Sequence, residues 1–347
     1  MEEILLNIAL WFGLYLIVCL SLNLEYGYAG IPNFGRAFAV LMGGVAVGGI
    51  VNRILMVAFG ISGDIISASA EVKTVANEII KSNPLFGIAI LILSLLIAAI
   101  LGAVTGALFI LPSAKLSEDY LAITLLAISE VAYMVCNYDV DIIGGYYGVS
   151  IPDILAFVPG ELRTCVFVAI TLTIAFLIYL IVERISNSPY GRVLRAMREN
   201  EDVVKAYGKD VMILRIKTVA LGSAIASISG ALYSLYSVNV IALSFSRVEW
   251  TFYPFLIILL GGVGNNKGVA VGTLTFVTVK ILLVIYKHEI MSFLRLPFEA
   301  VWLEYMLFGL LMFLVLVYKP EGLIKEKPII TPAIKNVINR KRKVLKA

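Results

Sequence analysis

From Ile88 to Leu111 the chain carries no charged side chain, and Val166–Val182, Val269–Val279 and Tyr305–Tyr318 are equally free of charge. A helix needs about 20 apolar residues to cross the hydrocarbon core of a bilayer. In lipid every backbone polar group must be paired within its own element, which leaves helices or closed barrels, and these runs lack the period-two alternation of barrel strands. With 60% hydrophobic and 15% charged residues, this segregation describes a polytopic transmembrane helical bundle, all-α, and not a soluble core.

Scanning for such runs gives nine candidate spans: 4–24, 37–59, 85–111, 120–136, 163–182, 218–240, 252–262, 269–285 and 301–318. The seventh is short enough to be a re-entrant half-helix. Lys and Arg gather between residues 184 and 217 and again from Lys325 to the end, where eight basic residues face one acid, Glu326, for a net of about +7 against +4 for the whole chain. The positive-inside rule puts both clusters on the cytoplasmic side, which nine crossings satisfy with the N-terminus outside and the C-terminus inside. Gly60–Pro84 and the acidic stretch Tyr138–Leu162 then become outer loops. The organisation expected is a transmembrane domain over 1–324, interrupted by a cytoplasmic loop at 184–217, and a basic tail over 325–347 held on anionic headgroups.

Several chemistries are disfavoured. Cys19, Cys136 and Cys165 are odd in number and widely spaced, which suits packing residues and neither a disulfide framework nor a metal site. Met1-Glu2-Glu3 lacks the basic start of a cleavable signal, so the first run is read as a retained span. The one histidine, His288, sits between Lys287 and Glu289 in what reads as a short connection, and no phosphate-cradling Gly-x-x-x-x-Gly-Lys-Ser/Thr occurs. No metal, no cofactor and no enzymatic activity are expected.

Two glycine-rich turns, one with Gly27, Gly30 and Gly35 and the other with Gly261, Gly262, Gly264 and Gly268, each join one apolar run to the next. Broken helices in a membrane are tolerated where protein or water surrounds the freed backbone. Asn23, Gly27, Gly30, Gly261, Gly262 and Gly264 are therefore candidates for a translocation path, while glycines of the Gly102-x-x-x-Gly106 kind simply let helices approach. Thr124 and Ser129 are candidate path hydroxyls. Glu130 and Lys280 read as the intramembrane charges and Arg36 as a positive-inside residue only.

Ser188-Pro189 supplies a helix cap followed by proline at the first helical position. A helix starting there carries Val193, Leu194 and Met197 on one side and Arg192, Arg195 and Arg198 on the other. Glu199-Asn200-Glu201-Asp202 offers a second start, running through Val203, Val204 and Tyr207 to a stop at Gly208. Such an amphipathic pair fits either headgroups or a groove on a soluble partner, with Val203, Val204, Tyr207 and Met212 as apolar anchors.

The run from Ser188-Pro-Tyr-Gly-Arg through Glu201-Asp-Val-Val-Lys-Ala-Tyr-Gly208 resembles the coupling loop of branched-chain amino acid ABC permeases of the LivM-like kind. Leu-Asn-Leu-Glu-Tyr-Gly-Tyr-Ala-Gly30, Asp119-Tyr-Leu-Ala-Ile-Thr124, Gly144-Gly-Tyr-Tyr-Gly148, Leu-Leu-Gly-Gly-Val-Gly264 and Tyr318-Lys-Pro-Glu-Gly-Leu-Ile324 are similar to that family's other segments, in the same order along nearly the whole chain. Val269, where the family usually has proline, and the polar Asn265-Asn266-Lys267 depart from it. The resemblance implies a transport subunit of an importer: two cytoplasmic ATPase subunits docked on Ser188, Pro189, Gly191, Arg192, Arg195, Arg198, Glu201, Val203, Val204, Tyr207 and Gly208, a second permease subunit, and an extracytoplasmic binding protein. It leaves open whether the cargo is a branched-chain amino acid or urea and short amides. An ion-coupled carrier built around Glu130 and Lys280 is the rival of another class.

Overall fold

The computed structural model describes residues 2–294, 300–319 and 321–326, and almost all of it is helix. Helix α1 (Glu2–Leu22) runs on into a π-helical stretch, Asn23–Tyr28. α2 (Arg36–Val45) and α3 (Asn52–Phe59) are one span joined by the π-helical stretch Ala46–Val51. After α4 (Ile65–Ser82) come α5 (Pro84–Ile110), α6 (Glu118–Tyr138) and the short α7 (Val140–Ile143). A two-residue strand β1 (Val149–Ser150) leads to α8 (Gly160–Ser186), α9 (Pro189–Glu199), α10 (Glu201–Ala206) and α11 (Val211–Ser237). β2 (Asn239–Val240) pairs antiparallel with β1, and α12 (Tyr253–Gly261), α13 (Asn266–Leu294) and α14 (Ala300–Tyr318) follow.

Among the described residues eight stretches are long and apolar enough to cross a membrane, with Tyr305–Tyr318 as a shorter apolar helix, so each of the nine expected runs finds its helix. The seventh reads short in the sequence because Ser244, Ser246, Arg247 and Glu249 interrupt its apolar pattern. In the fold a 3₁₀ turn (Ala242–Phe245) and a π-helical stretch (Val248–Phe252) extend it to Ala242–Gly261. Two expectations are corrected. Gly60–Pro84 is not an extended loop: most of it is the amphipathic helix α4, whose Ile65, Val72, Ala76 and Ile80 are buried. His288 lies within the last turns of α13 and not in a connection. The basic tail, 325–347, falls outside the described residues after Glu326.

The core is set by small residues. In lipid no hydrophobic force drives helix onto helix, so close approach and interhelical hydrogen bonds decide association. α11 packs between α5 and α2. A Cβ on Gly43 of α2 would strike the α11 backbone at Ser227, one on Gly230 would strike Val40, and one on Gly102 or Gly106 of α5 would strike Ser227 or Ser223. Ser227 Oγ also donates to Ala98 O at 2.6 Å, and Ser229 Oγ to Leu14 O at 2.9 Å, which draws α1 into the same centre. The Gly102-x-x-x-Gly106 stripe is therefore a packing device, as expected.

At the far end of α5 from α9, a polar lid closes the bundle. Ser69 Oγ accepts from Ser150 N, Asn77 Oδ1 from Asp153 N, and Asn52 donates to Ser150 O. Arg163 bridges Asp153 at 2.7 Å and Tyr236 O at 3.2 Å. These bonds hold the 144–159 connection, with β1, against α3, α4 and α11.

Candidate functional site

The local chemistry of 186–211 builds the helix pair as expected. Ser188 Oγ accepts from Gly191 N with Pro189 at the first helical position, and Asn200 Oδ1 accepts from Asp202 N and Val203 N at 2.9 and 3.2 Å. These bonds satisfy amides that a helix start leaves orphaned. Gly208 ends α10 with φ +74°, and Lys209 N reaches back to Val204 O at 3.2 Å, the closure a left-handed glycine permits. Gly191 is needed because a Cβ there would collide with Ser186 O.

Which faces point where differs from the helical-wheel reading. Leu194, Met197 and Val204 are buried against the bundle, Val204 at 4% exposure, so Val204 is not an anchor for a partner. Val203 and Tyr207, at 48% and 82%, are the apolar groups of the pair left outward, and Arg192 is exposed on α9. Arg195 and Arg198 do not spread on the free face: they turn inward. Arg195 donates to Ser186 O at 3.1 Å and stacks over the Tyr28 ring at 4.7 Å. Arg198 Nη1 donates to Gly27 O and its Nη2 to Glu326 Oε2 at 2.8 Å. Tyr190 Oη meets Thr218 Oγ1 at 2.8 Å, and burial pushes its phenol up, which keeps the hydroxyl protonated. Glu201 pairs with Arg215, whose Nη1 donates to Ala114 O and Leu116 O at 2.9 and 2.8 Å. The helix pair is thus bolted at one end to the first glycine turn and at the other to the α5–α6 connection.

The two glycine turns, far apart in sequence, meet beneath α9. Asn23 Oδ1 accepts from Gly264 N at 2.9 Å while its Nδ2 donates to Asn266 Oδ1 at 2.9 Å, and Asn266 Nδ2 donates to Glu183 Oε2 at 2.7 Å. The segment after α14 folds back on the same place: Leu323 N donates to Leu260 O and Ile324 N to Gly261 O. Gly262, at φ +119°, lies where a Cβ would strike Ile324 O. Asn23, Gly27, Gly30, Gly261, Gly262 and Gly264 are therefore one cluster, with Glu326 reaching from it to Arg195 at 3.4 Å and to Arg198. Through Arg198 and Glu326, α9 is thus in contact with both glycine turns.

Arg36 is more than a positive-inside residue. It is fully buried, ion-paired with the fully buried Glu25 inside the π-helical end of α1, and Asn33 Nδ2 donates to Glu25 Oε2 at 2.9 Å. Gly222 of α11 makes room for the Glu25 carboxylate. A charge between apolar runs in a lipid-embedded chain needs an opposite partner nearby. Glu25 and Arg36 on the two shoulders of one glycine turn carried that signal.

Thr124 is half-buried on α6. Ser129 and Glu130, further along α6, line a cleft of about 190 Å³ between α2, α6 and the break before α12. Glu130 faces Arg247 at 3.4 Å, and Lys280 lies between Glu249 at 3.0 Å, Tyr15 Oη at 3.1 Å and the faces of Trp11 and Tyr253. Neither expected intramembrane charge is isolated, and Arg247 and Glu249, both on the broken lead-in to α12, were missed. Cys19 and Cys136 are buried, whereas Cys165 is exposed on α8.

Comparison with known proteins adds a family. The profile described as branched-chain amino acid transport system / permease component matches residues 4–316. A protein of Methanocaldococcus jannaschii described as probable branched-chain amino acid transport permease protein LivM is 63% identical over 97% of this chain and 97% of its own. The high-affinity branched-chain amino acid transport system permease protein LivM of Escherichia coli is 25% identical over 69% of this chain and 58% of its own length. The protein of the same description in Salmonella typhimurium is 24% identical over the same shares. No solved structure matches the chain.

Proposed function

The chain belongs to the branched-chain amino acid transport permease family, and on that premise we propose that it is the membrane subunit of an ATP-driven importer of amino acids, branched-chain ones first. α9 and α10 face the cytoplasm and dock on an ATPase subunit, the N-terminus lies outside and the basic tail inside. A second permease completes the pathway, two ATPases drive it, and an extracytoplasmic binding protein delivers the cargo. The relatives are described as transport permeases, and this subunit performs no covalent chemistry and holds no nucleotide of its own.

The observation that carries the reading is the placement of α9–α10. It offers Val203 and Tyr207 outward on a charged rim, the pattern of an anchor surface, while Arg198 ties it to the first glycine turn, Arg195 and Arg198 to Glu326, and Glu201 through Arg215 to the α5–α6 connection. A lever needs both properties. When the ATPase dimer closes on nucleotide it drags the docked pair, and the pull reaches the broken helices through Gly27, Asn23 and Gly264, changing which side of the bundle is open.

The test is co-purification. Val203→Asp with Tyr207→Asp, two exposed positions, is expected to release the ATPase while the permease stays monodisperse and uptake stops. If the variant holds its ATPase as tightly as wild type, the docking surface is elsewhere. Uptake that follows an ion gradient and ignores ATP would replace this reading with the ion-coupled one built on Glu130 and Lys280.

A further inference from the structure

We propose that Glu130 and Arg247, facing each other across the cleft between α2, α6 and the break before α12, are the pair that receives the ammonium and the carboxylate of a passing zwitterionic amino acid. This inference rests on the amino-acid reading above and names the groups that would read the cargo inside the membrane.

Four observations carry it. First, the position is expensive: Glu130 lies in the middle of α6 and Arg247 at the start of a π-helical stretch within a span, and ionisable groups at such depth are retained for a task. Second, the pair is made loosely. Arg247 Nη1 stands 3.4 Å from Glu130 Oε2, longer than the ~2.7–2.9 Å of a tight charge-assisted bond, and the two side chains remain 51% and 34% exposed. By contrast, the structural pair Glu25–Arg36 in the same bundle is fully buried. A pair held so weakly can open and exchange each partner for one end of a zwitterion, the guanidinium fork taking the carboxylate.

Third, the rest of the cleft suits such a cargo. Phe38, Leu41 and Phe245 give the cleft an apolar lining, and the buried Ser129 adds a hydroxyl to it. About 190 Å³ is small against the ~300–1,000 Å³ of sites for drug-sized ligands, and matches a single small molecule with an aliphatic side chain. Fourth, the cleft is wired to the lever. Its α2 lining, Ala37, Phe38 and Leu41, follows the first glycine turn directly, and Ala37 N donates to Thr251 Oγ1 at 2.9 Å, joining α2 to the broken helix that carries Arg247. A shift of the glycine turn therefore changes the separation of the two charges.

The experiment uses the whole transporter in proteoliposomes, with radiolabelled leucine as the probe. Glu130→Gln and Arg247→Gln are each expected to raise the KM for leucine about tenfold or more, as loss of one partner of a charged contact does, with the ATPase still bound. The exchanged pair Glu130→Arg with Arg247→Glu is expected to regain wild-type thermal stability without regaining uptake. An exchanged pair that restores transport would make the contact structural and overturn the proposal, and so would single variants with an unchanged KM. Wild-type transporter that carries urea or acetamide but no leucine overturns the amino-acid reading itself, and the proposal with it.

Discussion

Replacing Arg36 by methionine removes one half of an ion pair whose two side chains are both fully buried. Breaking such a pair from one side costs about 3–5 kcal/mol, because the remaining charge has lost its partner and cannot reach water. Here Asn33 still donates to Glu25 at 2.9 Å, and in a bilayer the unfolded reference also finds polar partners, so the lower end, ~3 kcal/mol, is the expected loss. That is about two decades in the folded-to-unfolded ratio. Changing Glu25 to glutamine and Arg36 to methionine together removes both charges from a site that burial makes costly for either, and most of the loss should return. The assay is denaturation in detergent followed by size-exclusion fluorescence on wild type, both single variants and the double. The reasoning fails if Arg36→Met unfolds where wild type does, or if the double variant is as unstable as the worse single. A further result would separate packing from electrostatics: Arg36→Lys keeps the charge but loses the planar fork, and should fall between wild type and methionine.

At the α2–α11 crossing, Gly230→Val forces a branched side chain into the Val40 carbonyl, and overpacking of this kind costs roughly 1–3 kcal/mol. Detergent extraction should yield mostly aggregated chain, whereas Gly60→Val, at a left-handed turn with open space around it, should extract normally and lose only local order. Glu326→Gln removes the carboxylate shared by Arg195 and Arg198. Because these groups are partly exposed, the stability change should be small, but ATP hydrolysis measured on the assembled transporter should become less dependent on substrate; tight coupling in that variant would show that the clamp plays no part in transmission.

Much of this architecture is readable along the chain. Segregation of charge locates the spans, and Ser188-Pro189, the turn Glu199–Asp202 and Gly208 locate the helix pair, because capping is decided by residues within one turn of each other. The helical wheel fails at Arg195, Arg198 and Val204. Periodicity reports that a helix has two faces but not which one a bundle covers, and here the first glycine turn and Glu326 attract the arginines inward. The seventh span was understated for a related reason: its π-helical lead-in carries Arg247 and Glu249, whose partners, Glu130 and Lys280, sit on other helices, α6 and α13.

Composition and spacing alone determined that this chain is a helical membrane protein with a capped, charged element between its fifth and sixth spans, since hydration and local hydrogen bonding act over a few residues. Only the tertiary structure decided that Asn23 meets Gly264, that Glu25 holds Arg36, and that Glu130 faces Arg247. Those pairings depend on helix crossings set by Gly43, Gly102, Gly106 and Gly230, and a charge in lipid takes whichever partner the packing brings within reach.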